Sequence, residues 1–198
     1  MRPVVLASRS ASRAAILRGA AVPFEAVGAG VDEDARKAAL LAQGLDPRTI
    51  AERLAEAKAL PVSAQRPDAL VIGADQTLDL EGALFDKVDD REAAATRLRA
   101  LRGKAHSLHS ALVVAEGGAV VWRITESPRL AMRDFSDSFL EGYLTRGGDA
   151  LLGSVGCYLL EGEGAQLFER IEGDYFAVLG LPLLPLLAVL RREGALPL

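Results

Sequence analysis

Sulfur and imidazole are nearly absent from this chain, which has one cysteine and two histidines in 198 residues. A single thiol, Cys157, excludes an internal disulfide framework. It reads as a small buried hydrophobe unless a His-type partner reaches it. His106 and His109 fall on opposite faces of a strand-like run, which argues against a shared metal. Aromatics are also scarce, with one Trp, three Tyr and six Phe. No run interleaves them with basic residues, so no stacking platform for single-stranded nucleic acid is expected. Positive charge is not in excess: 23 Lys and Arg face 27 Asp and Glu, a net charge of −4. That balance disfavours a dedicated nucleic-acid binder but leaves room for a small anion held by a local cluster. Long apolar runs are missing as well. The N-terminal run ending at Ala7 is too short for a signal peptide. The run Ala177 to Leu190, about 14 residues broken by Pro182 and Pro185, is too short to span a bilayer. No Walker loop, GxGxxG or GxSxG occurs. These absences predict a cytoplasmic chain with neither a nucleic-acid nor a membrane partner.

What is present describes an ordinary globular protein. Half the residues are hydrophobic and 25% are charged, so a sizeable core is available without staples. No repeat, linker or low-complexity segment divides the chain, and residues 1–198 read as a single domain. Pro3–Ala7 reads as a strand, followed from Ser10 by helical spacing. Val22–Val27 reads as a second strand. Asp32-Glu33-Asp34 opens a helix that stops near Gly44. Asp46-Pro47 is an N-cap with Pro at the first helical position, and that helix is expected to halt before Pro61. Ala69–Ala74 has the uninterrupted apolar pattern of a strand buried on both faces. A hairpin follows around Glu81-Gly82, and Asp89 or Asp90 caps a helix to Leu101. His106–Ala115, Ala119–Glu126 and Leu130–Arg133 read as strands. Ser136 caps a further helix to about Leu144. Cys157–Leu160 and Gln166–Ile171 read as a strand pair, and the last helix runs from near Pro182 to Arg192. The order predicts an α/β domain with a large mixed, twisted sheet flanked by helices.

Three places carry chemistry. At Ser8-Arg9-Ser10-Ala11-Ser12-Arg13 a strand runs into a helix start, where free N–H groups, hydroxyls and guanidiniums favour a phosphate. The same pattern serves a solvated, Ser-capped helix start. Asp75 follows the buried run directly, where ligands gather at strand ends in open α/β sheets. It suits a metal or a general base, or a turn that caps backbone amides. Lys58 lies on the apolar stripe of Ala51, Leu54 and Ala55, either snorkelling or reaching an anion. Lys87 is ambiguous in the same way. Asp32-Glu33 offers Mg²⁺ the few carboxylates it prefers, or merely opens a helix. The residues alone therefore describe an anion-handling α/β enzyme with metal-competent carboxylates.

In chain order, these residues resemble the Maf family of nucleoside triphosphate pyrophosphatases. Leu6–Arg13 with Ile16-Leu17 is similar to the family's Ala-Ser-x-Ser-Pro-Arg-Arg opening. Val31-Asp32-Glu33, Ala55–Ala59 and Val71–Gln76 resemble its acidic pair, its helical lysine motif and its Gly-Ala-Asp strand end. Asp86-Lys87 stands at its Gly-Lys-Pro, and Leu101–His106 resembles its Leu-Ser-Gly-x-x-His segment. Glu172–Tyr175 with Val178–Pro182 resembles its C-terminal signature. The resemblance implies a Maf/ITPase-like fold and hydrolysis of a nucleoside triphosphate to the monophosphate and diphosphate. It also implies a divalent cation (Mg²⁺ or Mn²⁺), a cytoplasmic setting and a homodimer. It implies Asp75 as the catalytic carboxylate, with Glu33, Asp75 and Asp32 holding the metal. Arg13, Lys58 and Lys87, with Ser8 and Ser10, would hold the triphosphate. The family's link to septum formation also admits a non-catalytic nucleotide- or protein-binding regulator of cell division.

Ser12, Gln76 and Glu161 match the family's base-reading positions. Gln76 and Glu161 resemble the subgroup acting on 7-methyl-GTP, whereas Thr and Gln at those places mark the subgroup acting on dTTP and UTP. A carboxylate accepts hydrogen bonds from guanine N1–H and the N2 amino group, and it suits a positively charged methylated ring. The chain departs from the pattern at Ala11, Ser12, Val88, Lys104, Ala105 and Ser110, none of which removes a catalytic charge.

Overall fold

The computed structural model describes residues 1–198. The chain folds as one α/β domain around an open mixed sheet of eight strands. The strands are β1 (Val4–Ala7), β2 (Glu25–Val27), β3 (Leu70–Leu80), β4 (Ala83–Phe85), β5 (Ala105–Glu116), β6 (Ala119–Glu126), β7 (Arg129–Met132) and β8 (Phe168–Glu172). Their order is β2-β1-β3-β5-β7-β8, with β4 added to β3 and β6 to β5. Only the β1–β2 and β1–β3 pairs are parallel. The helices are α1 (Ala11–Gly19), α2 (Glu33–Ala42), α3 (Pro47–Gln65), α4 (Arg91–Leu101), α5 (Asp137–Gly147), α6 (Tyr175–Val178) and α7 (Leu183–Arg192).

Caps form at Ser10, Asp32, Asp46, Asp90 and Ser136 as the sequence predicts, and Asp174 caps α6, a helix not anticipated from the sequence; each accepts a hydrogen bond from the backbone N–H three residues on. Several elements differ from expectation. Helix α3 does not stop at Pro61 but continues to Gln65. Its extra turn is held by burial of Val62 and Ser63, and the Ser63 hydroxyl accepts from Gly118 N at 3.0 Å. Tertiary contacts there outweigh the hydrogen bond that proline removes. The β2 strand covers only Glu25–Val27, because Pro23 has no N–H to offer a ladder. Cys157–Leu160 is not a strand. Cys157 has φ +57, a left-handed conformation that breaks any ladder, and β8 pairs with β7 instead. Its apolar pattern reflects burial of Cys157 and Tyr158 in a loop.

Two faces of β3 then settle the site. Leu70, Ile72 and Ala74 face the core under α1 and α7, while Val71 faces the alanine-rich side of α3. With a period of two, Gly73 and Asp75 follow Val71 toward α3, and Gln76 turns the other way. The α3 surface is small (Ala51, Ala55, Ala59), so the helix packs close to the sheet. Gly73 makes this contact possible: a Cβ there would lie 2.2 Å from the Ala55 carbonyl oxygen and 2.8 Å from Ala59 N. Both are backbone atoms and cannot swing aside. Gly73→Ala is therefore expected to cost about 3 kcal/mol and to lower Tm by roughly 6–12 °C in thermal unfolding. It should also reduce turnover, because it pushes α3 and its Lys58 away from Asp75.

Candidate active site

The chemistry-bearing residues converge on one cleft of about 1320 Å³ beside the carboxyl end of β1. Strand β1 last pairs with β3 at Leu6↔Ile72, so beyond that point β3 has no β1 neighbour along the edge that passes Asp75. The sequence suggests that the strand ends at Asp75. In fact β3 runs on to Leu80, because β5 pairs with it as far as Asp79 and β4 from Leu78. Asp75 is thus held mid-strand, with its backbone groups in the ladder and its carboxylate aimed at α3.

Lys58 meets it there. Lys58 Nζ lies 2.7 Å from Asp75 Oδ1 and 2.6 Å from Glu33 Oε2. Lys58 is 5% exposed and Asp75 is 7% exposed, so this cation and carboxylate are largely out of water. Burial pushes the Asp75 carboxyl above the ordinary aspartate range. Lys58 and Arg13 oppose that shift, and Glu33 adds to it. Each carboxylate spends one oxygen on Lys58, and the other stays available. The free oxygens of Asp75 and Glu33 are what the site offers a divalent cation, but the point between the two carboxylates is taken by the Lys58 ammonium, and no group of three or more His, Cys, Asp or Glu side chains gathers around a metal position. Asp32 contributes differently, since its Oδ1 accepts from Ala35 N as the α2 cap. It lines the cleft at the start of that helix.

The β1–α1 junction forms the next wall. Arg13 Nε donates to the Gly180 carbonyl at 3.0 Å, and its Nη1 donates to Ser8 Oγ at 3.4 Å. Burial lowers the Arg13 pKa, and the charges of Asp75 and Glu33 oppose that shift. Ser10 Oγ accepts from Arg13 N at 3.3 Å as the α1 cap. Ser12 Oγ donates to the Leu179 carbonyl at 3.2 Å. Lys87 stands exposed on the opposite rim, after β4. Glu161, also exposed, closes the far end of the cleft.

Gln76 lies on the other face of β3, directly across from Ser110. Its Nε2 donates to the Ala177 and Val178 carbonyls at 3.1 and 3.0 Å and reaches Ser110 Oγ at 2.8 Å. Ser110 Oγ itself donates to the Ala177 carbonyl at 2.6 Å. These partners fix the amide with its nitrogen inward, which leaves Oε1 as the acceptor toward the cleft. Reasoning from the sequence misses Ser110 and the four carbonyls of residues 177–180 as a positioning hub. The Val178–Pro182 signature marks that hub in the sequence. Gly180, with φ +90, lies where a Cβ would sit 3.6 Å from the Gln76 amide. The two histidines stay apart: His106 Nε2 is 2.7 Å from the Tyr158 hydroxyl, and His109 bridges Ser127 and Asp79. Burial lowers the His106 pKa to about 4, so that ring is neutral. No helix is long and apolar enough to cross a membrane.

Comparison with known proteins gives the family. The Maf-like protein family matches residues 3–193. A nucleoside triphosphate pyrophosphatase from Caulobacter vibrioides is 59% identical over 196 residues, covering 99% of this chain and 98% of the relative. One of the same name from Maricaulis maris is 52% identical over 196 residues, covering 99% of each. A 7-methyl-GTP pyrophosphatase from Brucella abortus is 49% identical over 190 residues, covering 96% of each. The match runs nearly end to end and takes in every residue of the cleft, so this chain belongs to the Maf-like protein family.

Proposed function

We propose that this chain hydrolyses a nucleoside triphosphate to the nucleoside monophosphate and diphosphate, and that its preferred base is a 7-methylated guanine. The buried Asp75–Lys58–Glu33 cluster beside Arg13 carries this reading. Asp75 Oδ1 is tied to Lys58, and Oδ2 is left to take a proton from water. The water oxygen bonds to the α-phosphorus, the bond from that phosphorus to the α–β bridging oxygen breaks, and diphosphate leaves with the bond's electrons. Lys58, Arg13 and Lys87 would offset the charge that develops on the phosphoryl oxygens. Ser8 and Ser10 lie at the α1 N-terminus, where a phosphate is favoured. A divalent cation, held through the free Glu33 oxygen with Asp32 beside it, would supply Lewis-acid charge neutralisation, and Asp75 Oδ2 is kept for the proton. The nucleotide pool on which such an enzyme acts is cytoplasmic.

The base preference rests on acceptors. Gln76 Oε1 and the Glu161 carboxylate present acceptors only, and guanine offers N1–H and the N2 amino group on one edge. A uracil or thymine ring has a single N–H and leaves one acceptor unmatched. Glu161→Gln is expected to lower kcat/KM for 7-methyl-GTP about tenfold while changing GTP less, because only the methylated ring is cationic. A diphosphate-release screen over GTP, 7-methyl-GTP, dTTP and UTP, with Mg²⁺ and with Mn²⁺, tests the assignment. Faster cleavage of dTTP and UTP than of 7-methyl-GTP would overturn the base preference. No diphosphate from any of them would overturn the activity.

A further inference from the structure

Of the five Lys and Arg side chains that line the cleft, Arg9 and Lys37 have no part in the hydrolytic scheme, and Lys37 is the one held by a carboxylate of the cleft. Lys37 lies one turn after Glu33 on α2, so both side chains share the face turned toward the cleft. Its side chain is 16% exposed although its helix lies on the surface. Lys37 Nζ meets Asp86 Oδ2 at 2.5 Å, and Asp34 Oδ1 is 3.9 Å away. Asp86 precedes Lys87 on the opposite rim, and its Oδ1 accepts from Lys87 N at 2.9 Å.

Helix α2 has no buried residue along its ten positions. A helix so short and unburied is marginal alone, so what it touches decides its place. On the cleft side it is held by two ion pairs, Glu33–Lys58 and Lys37–Asp86. Asp86 is half-exposed, and ion pairs of that kind are weak and readily exchanged. A polyphosphate entering between the rims offers Lys37 a far stronger partner than one solvated carboxylate.

We propose that Lys37 is a further triphosphate-binding residue, held in place by Asp86 until a polyphosphate replaces that carboxylate. Exchange of Asp86 for phosphate draws α2 down over the bound chain and brings Glu33 with it. Asp86 thus competes with the ligand, and removing it has the opposite effect to removing Lys37. This inference rests on the assignment of the cleft to a nucleoside triphosphate, but its test does not require turnover.

The test is isothermal titration of the full chain with inorganic tripolyphosphate in the presence of Mg²⁺. Lys37→Met should weaken binding about tenfold, the loss expected of one charge-assisted contact. Lys37→Arg should restore most of it. Asp86→Asn should tighten binding roughly twofold to fivefold. If the pair merely ties α2 down, Lys37→Met and Asp86→Asn weaken binding together, and the proposal falls. It falls equally if Lys37→Met, folded by circular dichroism, binds tripolyphosphate like wild type. Diphosphate release by the wild type, measured alongside, reports separately on the activity. Its failure with the opposed binding effects intact would sink the pyrophosphatase reading and leave Lys37 as a polyphosphate ligand.

Discussion

Asp75→Asn is expected to lower kcat for diphosphate release about a thousandfold while leaving the Kd for the nucleotide within a few-fold of wild type. Proton abstraction by a positioned carboxylate contributes about 10² to 10⁴ in rate, and the amide keeps the shape but cannot accept the proton. The same substitution should change Tm little near neutral pH, because Glu33 still pairs the Lys58 ammonium while the burial penalty on the Asp75 charge is relieved. Burial raises the Asp75 pKa despite Lys58 and Arg13, so the folded state disfavours the charged form. By linkage, that form weakens stability increasingly as pH rises through the folded pKa, and asparagine removes the penalty. Activity runs the other way, because the base must be ionised to work. In the wild type the acid limb of kcat/KM should therefore fall above the ordinary aspartate range and vanish in Asp75→Asn. A binding protein with no chemistry at Asp75 would show neither the limb nor the loss.

Lys58→Met should harm both folding and turnover, and its effect should depend on pH. The ammonium stands between two carboxylates at 2.6 and 2.7 Å, and it is buried. Removing one partner of a buried pair leaves uncompensated charge and costs about 3 kcal/mol, or roughly 6–12 °C in Tm for a chain of this size. Without Lys58 the Asp75 pKa climbs further, since the largest opposing charge is gone. The variant regains stability as pH falls and Asp75 takes up a proton, so the Tm deficit should be larger at pH 8 than at pH 5. Its residual activity should shift to more alkaline pH for the same reason. A pH-independent Tm deficit would mean that packing of the lysine stem, rather than its charge, holds the site.

Much of the frame is legible in the sequence because it rests on local rules. Caps at Ser10, Asp32, Asp46, Asp90 and Ser136 need only a side-chain oxygen at the right offset. The Glu81-Gly82 turn needs positive φ at both residues, and the structure has 56° and 86° there. Asp75 is legible because a carboxylate after an apolar strand is conspicuous. Its partner Lys58 is legible only as a lysine on an apolar stripe. That it reaches Asp75 depends on how closely α3 packs, which Gly73 decides from another element. The continuation of α3 past Pro61 and the loop at Cys157–Leu160 escape local rules for the same reason. In both, burial against distant residues overrides what the backbone prefers. The hub at residues 177–180 works through carbonyl oxygens, which every residue carries, so residue identity does not reveal it. Lys37 is equally hidden, since a lysine on a polar helix reads as a solvated face until Asp86 is seen beside it.

The central claim is that water activated at Asp75 attacks the α-phosphorus. Turnover of 7-methyl-GTP or GTP by the wild-type protein in ¹⁸O-labelled water, followed by mass spectrometry of both products, tests it most directly. One ¹⁸O atom in the nucleoside monophosphate and none in the diphosphate is the predicted result. Label in the diphosphate, or release of single phosphates carrying it, would place the attack on another phosphorus and contradict the account.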